Sequence, residues 1–106
     1  PLKVAAAVRD FAVMNGFEGD ILFDIGIATA AIVENAIKYG GGGDLIARCD
    51  GTAVQVEVRD RGPGLSADVV ESPPAGGGLQ RAQAAMNEFR VSSAPGNTRV
   101  FMRKLK

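Results

Sequence analysis

Apolar residues recur every three to four positions through the first part of the chain. This spacing predicts an amphipathic helix over residues 2–15 that ends at Asn15-Gly16. Asp20 is the predicted N-cap of a longer helix that runs to about Tyr39 and stops at the glycines 40–43. The apolar side of this second helix is wide, which predicts that the helix packs against a sheet. Its residues are Ile21, Ile25, Ala28, Ile32 and Ala36, flanked by Leu22, Thr29, Val33 and Ile37.

Alternating apolar and polar residues further along the chain predict two β-hairpins. The first joins residues 45–49 to residues 54–59 across Asp50-Gly51, a pair of residues typical of tight turns. The second joins residues 89–93 to residues 98–105. Strands connected in this way pair in the antiparallel direction.

The order of the predicted elements indicates the fold class. A third helix is predicted from Leu79 to about Glu88, after a loop over residues 65–75 that contains Pro73-Pro74. The order α, α, β, β, α, β, β predicts an α+β fold. We expect a two-layer sandwich in which three helices cover one face of a mixed, mostly antiparallel sheet. Residues 1–106 are expected to form one domain, and because its first residues are already helical, we expect it to lack an N-terminal strand.

The composition excludes several classes of site. Hydrophobic residues make up 46% of the chain and charged residues 23%, as in ordinary soluble domains. The chain has no histidine and a single cysteine, Cys49, which argues against zinc sites and against Ser-His or Cys-His nucleophile pairs. Its 12 basic and 12 acidic residues cancel, so neither nucleic acid nor a membrane is an expected partner. The lone cysteine and the lack of a signal-peptide pattern predict a cytoplasmic protein.

Three short motifs carry the candidate chemistry, one near the end of the second helix, one after a strand and one before the third helix. Their residues are Asn35; Asp60, Gly62 and Gly64; and Gly76, Gly77, Gly78 and Leu79. Each motif alone is common in proteins. The second motif also matches the dinucleotide fingerprint G-x-G-x-x-A, which requires a parallel βαβ unit and a helix directly after the glycines. Pro63 removes a backbone amide from that turn, so no dinucleotide site is predicted.

Taken together and in this order, the three motifs resemble those of the GHKL (Bergerat-fold) ATP-binding family. This family includes histidine-kinase catalytic domains, gyrase-type ATPases and the serine kinases that act as anti-sigma factors or stress-response switches. The resemblance covers nearly the whole chain. The small size, the Gly16-Phe17 pair and the segment 86–89 are most similar to the anti-sigma and switch serine kinases.

The resemblance implies an adenine site around Asp60. Its carboxylate would accept a hydrogen bond from the exocyclic amino group of adenine, with help from Thr98. Gly62 and Gly64 would let the backbone approach the base with no Cβ in the way. Tyr39 is expected to pack in the core and not to contact the ligand.

The resemblance also implies contacts with phosphate and Mg²⁺. Asn35 offers an amide oxygen suited to Mg²⁺. The glycines and Leu79 of the third motif lead into a helix N-terminus, whose amides would hold phosphate. Lys38 lies on a helix face similar to that of Asn35, and is either a phosphate contact or a solvated lysine.

The catalytic part of the resemblance is incomplete. Kinases and ATPases of this family carry a general-base Glu four residues before the Asn, where this chain has Ala31. Glu34 does not replace it, because adjacent helical residues point about 100° apart. The segment 66–75 contains no Lys or Arg, and Arg61 and Arg81 lie outside it. No catalytic residue is therefore assigned.

The resemblance implies an ATP-binding regulatory switch protein that binds ATP·Mg²⁺ and a protein partner. That partner would be a sigma factor or a phosphorylatable antagonist domain of the STAS type, and homodimer formation is left open. Whether the chain is an enzyme is also open, since Ala31 would weaken phosphotransfer. Two alternatives remain: a non-catalytic protein-binding module with a degenerate nucleotide site, and the ATP-binding domain of a histidine kinase.

Overall fold

The computed structural model describes residues 1–64, 69 and 77–106. Within these residues the helices are α1 (Leu2–Met14), α2 (Asp20–Gly40) and α3 (Gly78–Ala85). The strands are β1 (Gly43–Cys49), β2 (Ala53–Asp60), β3 (Glu88–Ala94) and β4 (Asn97–Leu105). This is the order of elements that the sequence predicts. Among the described helices, none combines the length and the apolar character that a membrane span requires. The loop predicted over residues 65–75 lies, apart from Val69, outside the described residues.

The four described strands form one sheet in the order β1-β2-β4-β3, and every pairing among them is antiparallel. Alternate residues of β2 and β4 are buried, and α2 lies in the middle of the helical layer, packed against both α1 and α3. The predicted α+β sandwich with helices on one face is confirmed. The largest apolar side chains that are almost completely buried among the described residues are Phe17, Ile25, Ile32, Val54, Val56 and Met102.

Helix α2 buries most of the predicted apolar stripe, including Ile25, Ile32 and the residues between them on that side. Two details of the prediction are wrong. Asp20 is the first residue of the helix, and Gly19, with a φ of 74°, is the N-cap. Ile37 is 53% exposed, because it lies beside the edge of the sheet at β1, where no described element covers it.

Helix α3 is shorter than the apolar spacing predicts. It ends at Ala85 and not at Glu88, because Met86 adopts an extended backbone with φ −108° and ψ 154°. Asn87 N then donates a hydrogen bond to Arg103 O at 3.0 Å, and Glu88 already belongs to β3. The spacing of apolar residues around α3 does not predict where this helix ends, because Arg103, the hydrogen-bond partner of Asn87, lies on β4.

The turn between β1 and β2 is held by Asp50, in agreement with the turn predicted there. Its Oδ1 accepts hydrogen bonds from Thr52 Oγ1 at 2.7 Å, Thr52 N at 3.0 Å and Ala53 N at 2.9 Å. These bonds, the Thr52 hydroxyl first, lower the pKa of Asp50. Because the folded pKa is lowered, the stabilisation is present above the unfolded pKa and is lost as the pH falls through the folded pKa.

Lys104 connects the sheet to the helical layer. Its ammonium lies 3.0 Å from Asp24 Oδ2 on α2 and donates a hydrogen bond to Ala85 O, at the end of α3, at 2.7 Å. The Lys104 side chain is only 15% exposed, so water competes weakly for these contacts. We expect Lys104→Met to lower the free energy of unfolding by about 1–3 kcal/mol, because Asp24 and the carbonyl lose their partner.

Urea denaturation of the Lys104 variant measures this loss. Lys3→Met is the matched control, because Lys3 is an exposed lysine on α1, and it should change the free energy of unfolding by less than about 0.5 kcal/mol. Equal losses in the two variants would contradict the connecting role of Lys104.

Candidate functional site

A pocket opens between the C-terminal half of α2, the start of α3 and the neighbouring ends of β2 and β4. Its apolar wall consists of Ile32, Ala36, Val58, Leu79 and Val100. Its other lining groups come from Asn35, Tyr39, Gly40, Asp60, Gly64 and Thr98. Residues of all three sequence motifs therefore meet in one place. The cavity between these residues is ≈ 30 Å³ in volume.

Asp60, the last residue of β2, brings a carboxylate to this pocket. Its Oδ1 accepts a hydrogen bond from Gly62 N at 2.9 Å. Its Oδ2 has no hydrogen-bond partner within the described residues, and so it can accept a bond from a ligand. Gly40 leaves room for the carboxylate, because a Cβ there would lie 2.5 Å from Asp60 Cγ. Gly62 thus holds one oxygen of the carboxylate, and the other oxygen is available to a ligand.

Thr98 supplies a hydroxyl beside the Asp60 carboxylate. The two residues are opposite each other in the β2–β4 register, so their side chains share one face of the sheet. Thr98 is 4% exposed, and its Oγ1 lies 2.8 Å from Ser93 Oγ, in a bond that either hydroxyl can donate. A hydroxyl has one donor and two acceptor sites, so Thr98 keeps the capacity to bind a ligand as well.

Gly62 brings the segment after β2 against the end of α2. A Cβ on Gly62 would lie 2.6 Å from Gly40 Cα and 2.8 Å from Tyr39 O, closer than real Cβ atoms approach. Gly62 O also accepts a hydrogen bond from Gly96 N at 2.8 Å, which holds the β3–β4 turn in place. Gly64, with a φ of 89°, is part of the pocket lining. Gly62 therefore shapes the pocket from outside its lining, and Gly64 forms part of it.

Asn35 meets the first turn of α3 at the pocket. A Cβ on Gly78 would lie 3.3 Å from both Oδ1 and Nδ2 of Asn35. Gly77 is the N-cap of α3, and no side chain of the described residues forms a capping hydrogen bond there, so the amides of Gly78 and Leu79 are suited to bind a ligand. Leu79 is buried in the pocket wall, whereas Gly76 lies outside the described residues.

Tyr39 and Lys38 do not follow the pattern of the other site residues. Tyr39 is 59% exposed and lines the pocket, so the prediction that it packs in the core is wrong. The sequence contained a signal for this, because Tyr39 follows Asn35 by four positions and residues four apart share a helix face. Lys38 is exposed and outside the pocket lining, with its Nζ 5.3 Å from the centroid of the Tyr39 ring. A phosphate contact at Lys38 stays a prediction.

The position of the expected general base holds a buried methyl group. Ala31 is 6% exposed, and its carbonyl oxygen lies 3.4 Å from the place of a Cβ on Gly78. Glu34 is exposed and does not line the pocket. Among the described residues there is also no group of three or more His, Cys, Asp and Glu side chains able to hold a metal ion. The described site thus has hydrogen-bonding groups beside an apolar wall and no carboxylate at the expected base position.

Comparisons with known proteins show where else this architecture occurs. No family model matches the sequence, and no curated protein matches it. The structure of the RsbU and RsbW domains of Rv1364c from Mycobacterium tuberculosis matches with a TM-score of 0.71 and 24% identity, over 97% of this chain. The histidine kinase AdeS of Acinetobacter baumannii matches with a TM-score of 0.63 and 21% identity, over 79% of this chain. The histidine kinase domain of the blue-light activated histidine kinase from Erythrobacter litoralis EL346 matches with a TM-score of 0.67 and 16% identity, over 96% of this chain.

The likeness to these three structures is a likeness of fold. The chain spans 28%, 46% and 57% of the length of the three solved chains, in the same order. Two of them are histidine kinases and the third includes an RsbW domain. The chain shares its fold with these histidine kinase structures and with the structure that includes an RsbW domain, in agreement with the fold that the resemblance in its sequence implied.

Proposed function

We propose that this chain is an ATP-binding regulatory domain of the anti-sigma and switch serine kinase type, which binds ATP·Mg²⁺ and a protein partner. The pocket carries this proposal, because residues from three separate motifs line it together: Asn35, Asp60, Gly64 and Leu79. The sequence motifs predict the same residues for a nucleotide site. The likeness of fold to histidine kinases and to a structure that includes an RsbW domain supports it further.

The groups in the pocket fit adenine. Asp60 Oδ2 accepts a hydrogen bond from the exocyclic amino group, and the Thr98 hydroxyl bonds a ring nitrogen. Guanine carries a carbonyl oxygen where adenine carries this amino group, and that oxygen would oppose the carboxylate. The apolar wall packs against the faces of the base, and Tyr39 moves at the mouth to admit it. The site should therefore prefer ATP to GTP.

The phosphate and Mg²⁺ contacts are proposed for Asn35 and the first turn of α3. The amides at a helix N-terminus and the positive end of its dipole favour anions, and the Asn35 oxygen is of the type that Mg²⁺ prefers. Bound ATP supplies a γ-phosphoryl group for transfer to a partner hydroxyl. Since Ala31 carries no proton acceptor, that transfer should be slow or absent, whereas binding needs no base.

The proposed partner is a sigma factor or a phosphorylatable antagonist domain of the STAS type in the cytoplasm. The buried Ala31 favours a second candidate function, a non-catalytic module that regulates by protein contact alone. The histidine kinase alternative requires a phosphoacceptor histidine outside these residues, because this chain contains none.

A thermal-shift titration with ATP, ADP and GTP, each with and without Mg²⁺, tests the proposal. A ligand at about 100 times its Kd stabilises a protein by about 2.7 kcal/mol, which raises the Tm of a small domain by several degrees. We expect this rise with ATP and ADP, and a much smaller one with GTP. No shift at millimolar nucleotide, or equal shifts with ATP and GTP, would contradict an adenine site.

A further inference from the structure

The sheet face that points away from the helices is rich in arginine. The strand register places three rows of residues across it: Asp44, Arg59, Arg99 and Ser92; Ile46, Glu57, Phe101 and Arg90; and Arg48, Gln55, Arg103 and Glu88. Arg61 follows directly after β2 and lines a cleft with Arg59 and Arg99. Six of the eight arginines of the chain thus lie on or beside this surface, which we call the arginine face.

The arginine face is positively charged although the chain as a whole is neutral. Its six arginines and three acidic residues leave a charge of +3, against a formal net charge of +0 for the chain. Part of this charge is compensated locally, since Arg59 lies 2.7 Å from Glu57 and Arg103 lies 3.2 Å from Glu88. Among the described residues, Arg61 and Arg99 at one end of the face and Arg48 at the other end form no ion pair.

At the end that carries Arg61 and Arg99, a polar cleft of ≈ 540 Å³ opens beside a wall of glycine backbone. Arg59, Arg61 and Arg99 line it, and Asp44 and Asp60 also border it, so guanidinium groups outnumber carboxylates. Arg59 and Arg99 are directly opposite in the register, and Glu57 pairs with Arg59 but not with Arg99. Arg61 and Arg99 are exposed and form no ion pair within the described residues. Their planar donor groups are suited to carboxylates of a partner.

The centre of the arginine face has a small recess with apolar side chains. Ile46 and Phe101 line it together with the polar residues Arg48, Gln55 and Glu57, and its volume is ≈ 100 Å³. Arg90 covers part of the Phe101 ring, with its Cζ 4.6 Å from the ring centroid. Aromatic residues and arginine are enriched in protein–protein interfaces, where an apolar centre has a polar rim.

We propose that the arginine face docks an acidic segment of a partner protein, with carboxylates at Arg61 and Arg99 and one apolar side chain in the recess at Phe101. A nucleic acid fits this face less well, because its affinity comes from many phosphate contacts, whereas Arg59 and Arg103 are already paired with Glu57 and Glu88. A second copy of the same face fits less well too, since two positively charged surfaces would meet. The strand rows of the arginine face lie on the other side of the sheet from the nucleotide pocket, and the cleft shares Gly40 and Asp60 with that pocket. The inference goes beyond ATP binding, and its test uses no nucleotide, so its failure is distinguishable from a failure of the proposed function.

The test uses this chain and a short synthetic peptide of Asp and Glu residues around a central leucine, at physiological salt. Backbone amide NMR shifts locate the bound peptide, and titrations of Arg99→Glu, Arg61→Glu and Lys3→Glu measure its affinity. All three changes alter the net charge equally, but Lys3 lies on α1 in the helical layer. We expect each arginine variant to weaken binding by about tenfold and Lys3→Glu by less than about twofold, because screening limits distant charges.

Peptide shifts confined to β1, β2, β4 and the segment after β2, with that difference among variants, support the proposal. Amide spectra of the free variants show whether they are folded. Absence of binding, shifts in the helical layer, or equal weakening by all three variants would overturn it. A peptide with serine in place of the leucine should bind more weakly, and equal binding would overturn the recess as an anchor site. Tighter binding of a single-stranded DNA oligonucleotide through the same arginines would assign the face to nucleic acid.

Discussion

Asp60→Asn should remove most of the affinity of this chain for ATP and leave the fold intact. Gly62 N–H donates to one side-chain oxygen at this position, and it would keep the amide oxygen of the variant as its acceptor. The amide NH₂ would then oppose the adenine amino group, donor against donor. Hydrogen bonds to charged groups contribute about 1.5–3 kcal/mol, so the Kd for ATP should rise about tenfold to a hundredfold.

Isothermal titration calorimetry with ATP and GTP measures this change. The same argument predicts that GTP gains affinity in Asp60→Asn, because the new NH₂ can donate to the guanine carbonyl. Asp44→Asn is the matched control, since Asp44 lies on β1 outside the pocket lining, and its ATP affinity should equal that of the unchanged chain. ATP binding as tight in Asp60→Asn as in the control would show that another group recognises adenine.

Gly62→Ala should cost both stability and nucleotide affinity. The new Cβ would lie 2.6 Å from Gly40 Cα and 2.8 Å from Tyr39 O, and backbone atoms cannot rotate away as a side chain does. The end of α2 would have to move away from the segment after β2. Gly62 N in that segment donates the hydrogen bond that holds the Asp60 carboxylate. Overpacking of this kind costs about 1–3 kcal/mol, and urea denaturation together with ATP titration should detect both losses.

Gly78→Ala provides the control for stability, because it makes the same chemical change against a more tolerant neighbour. Its Cβ would meet the Asn35 side chain at 3.3 Å, and Gly78 is the first residue of α3. Alanine favours a helix over glycine by up to about 1 kcal/mol, and this gain offsets the packing cost of the new Cβ. We therefore expect Gly78→Ala not to lower the free energy of unfolding. Equal destabilisation by the two variants would contradict the close contact described for Gly62.

The spacing of apolar residues and the turn motifs were sufficient to predict most of the fold. Helix α2 shows a wide apolar stripe, and Asp50 holds the turn that the Asp50-Gly51 pair predicted, because these features depend on residues close together in sequence. The end of α3 could not be predicted in this way. Asn87 pairs with Arg103 of β4, and a contact between elements leaves no mark in the spacing of residues around α3.

The candidate site was predictable in part. Asn35, Asp60 and Thr98, which the sequence had singled out, line one pocket together with Gly64 and Leu79, and their contacts with a nucleotide stay a prediction. Tyr39 was wrongly assigned to the core, since its exposure depends on how α2 ends above the sheet. Gly40 carried no sequence signal as a site residue, because its importance comes from a contact with Asp60 across two elements.

The amino-acid sequence determined the elements, their order, the fold class and the chemical types of the site residues, all of which follow from short-range periodicity and from motifs. The tertiary structure decided which of these residues meet. It placed Tyr39 at the mouth of the pocket and Lys38 outside its lining. It also placed arginines between Arg48 and Arg103 on one face of the sheet, because the strand register aligns residues that lie far apart along the chain. The pattern of residues along the sequence did not predict this register.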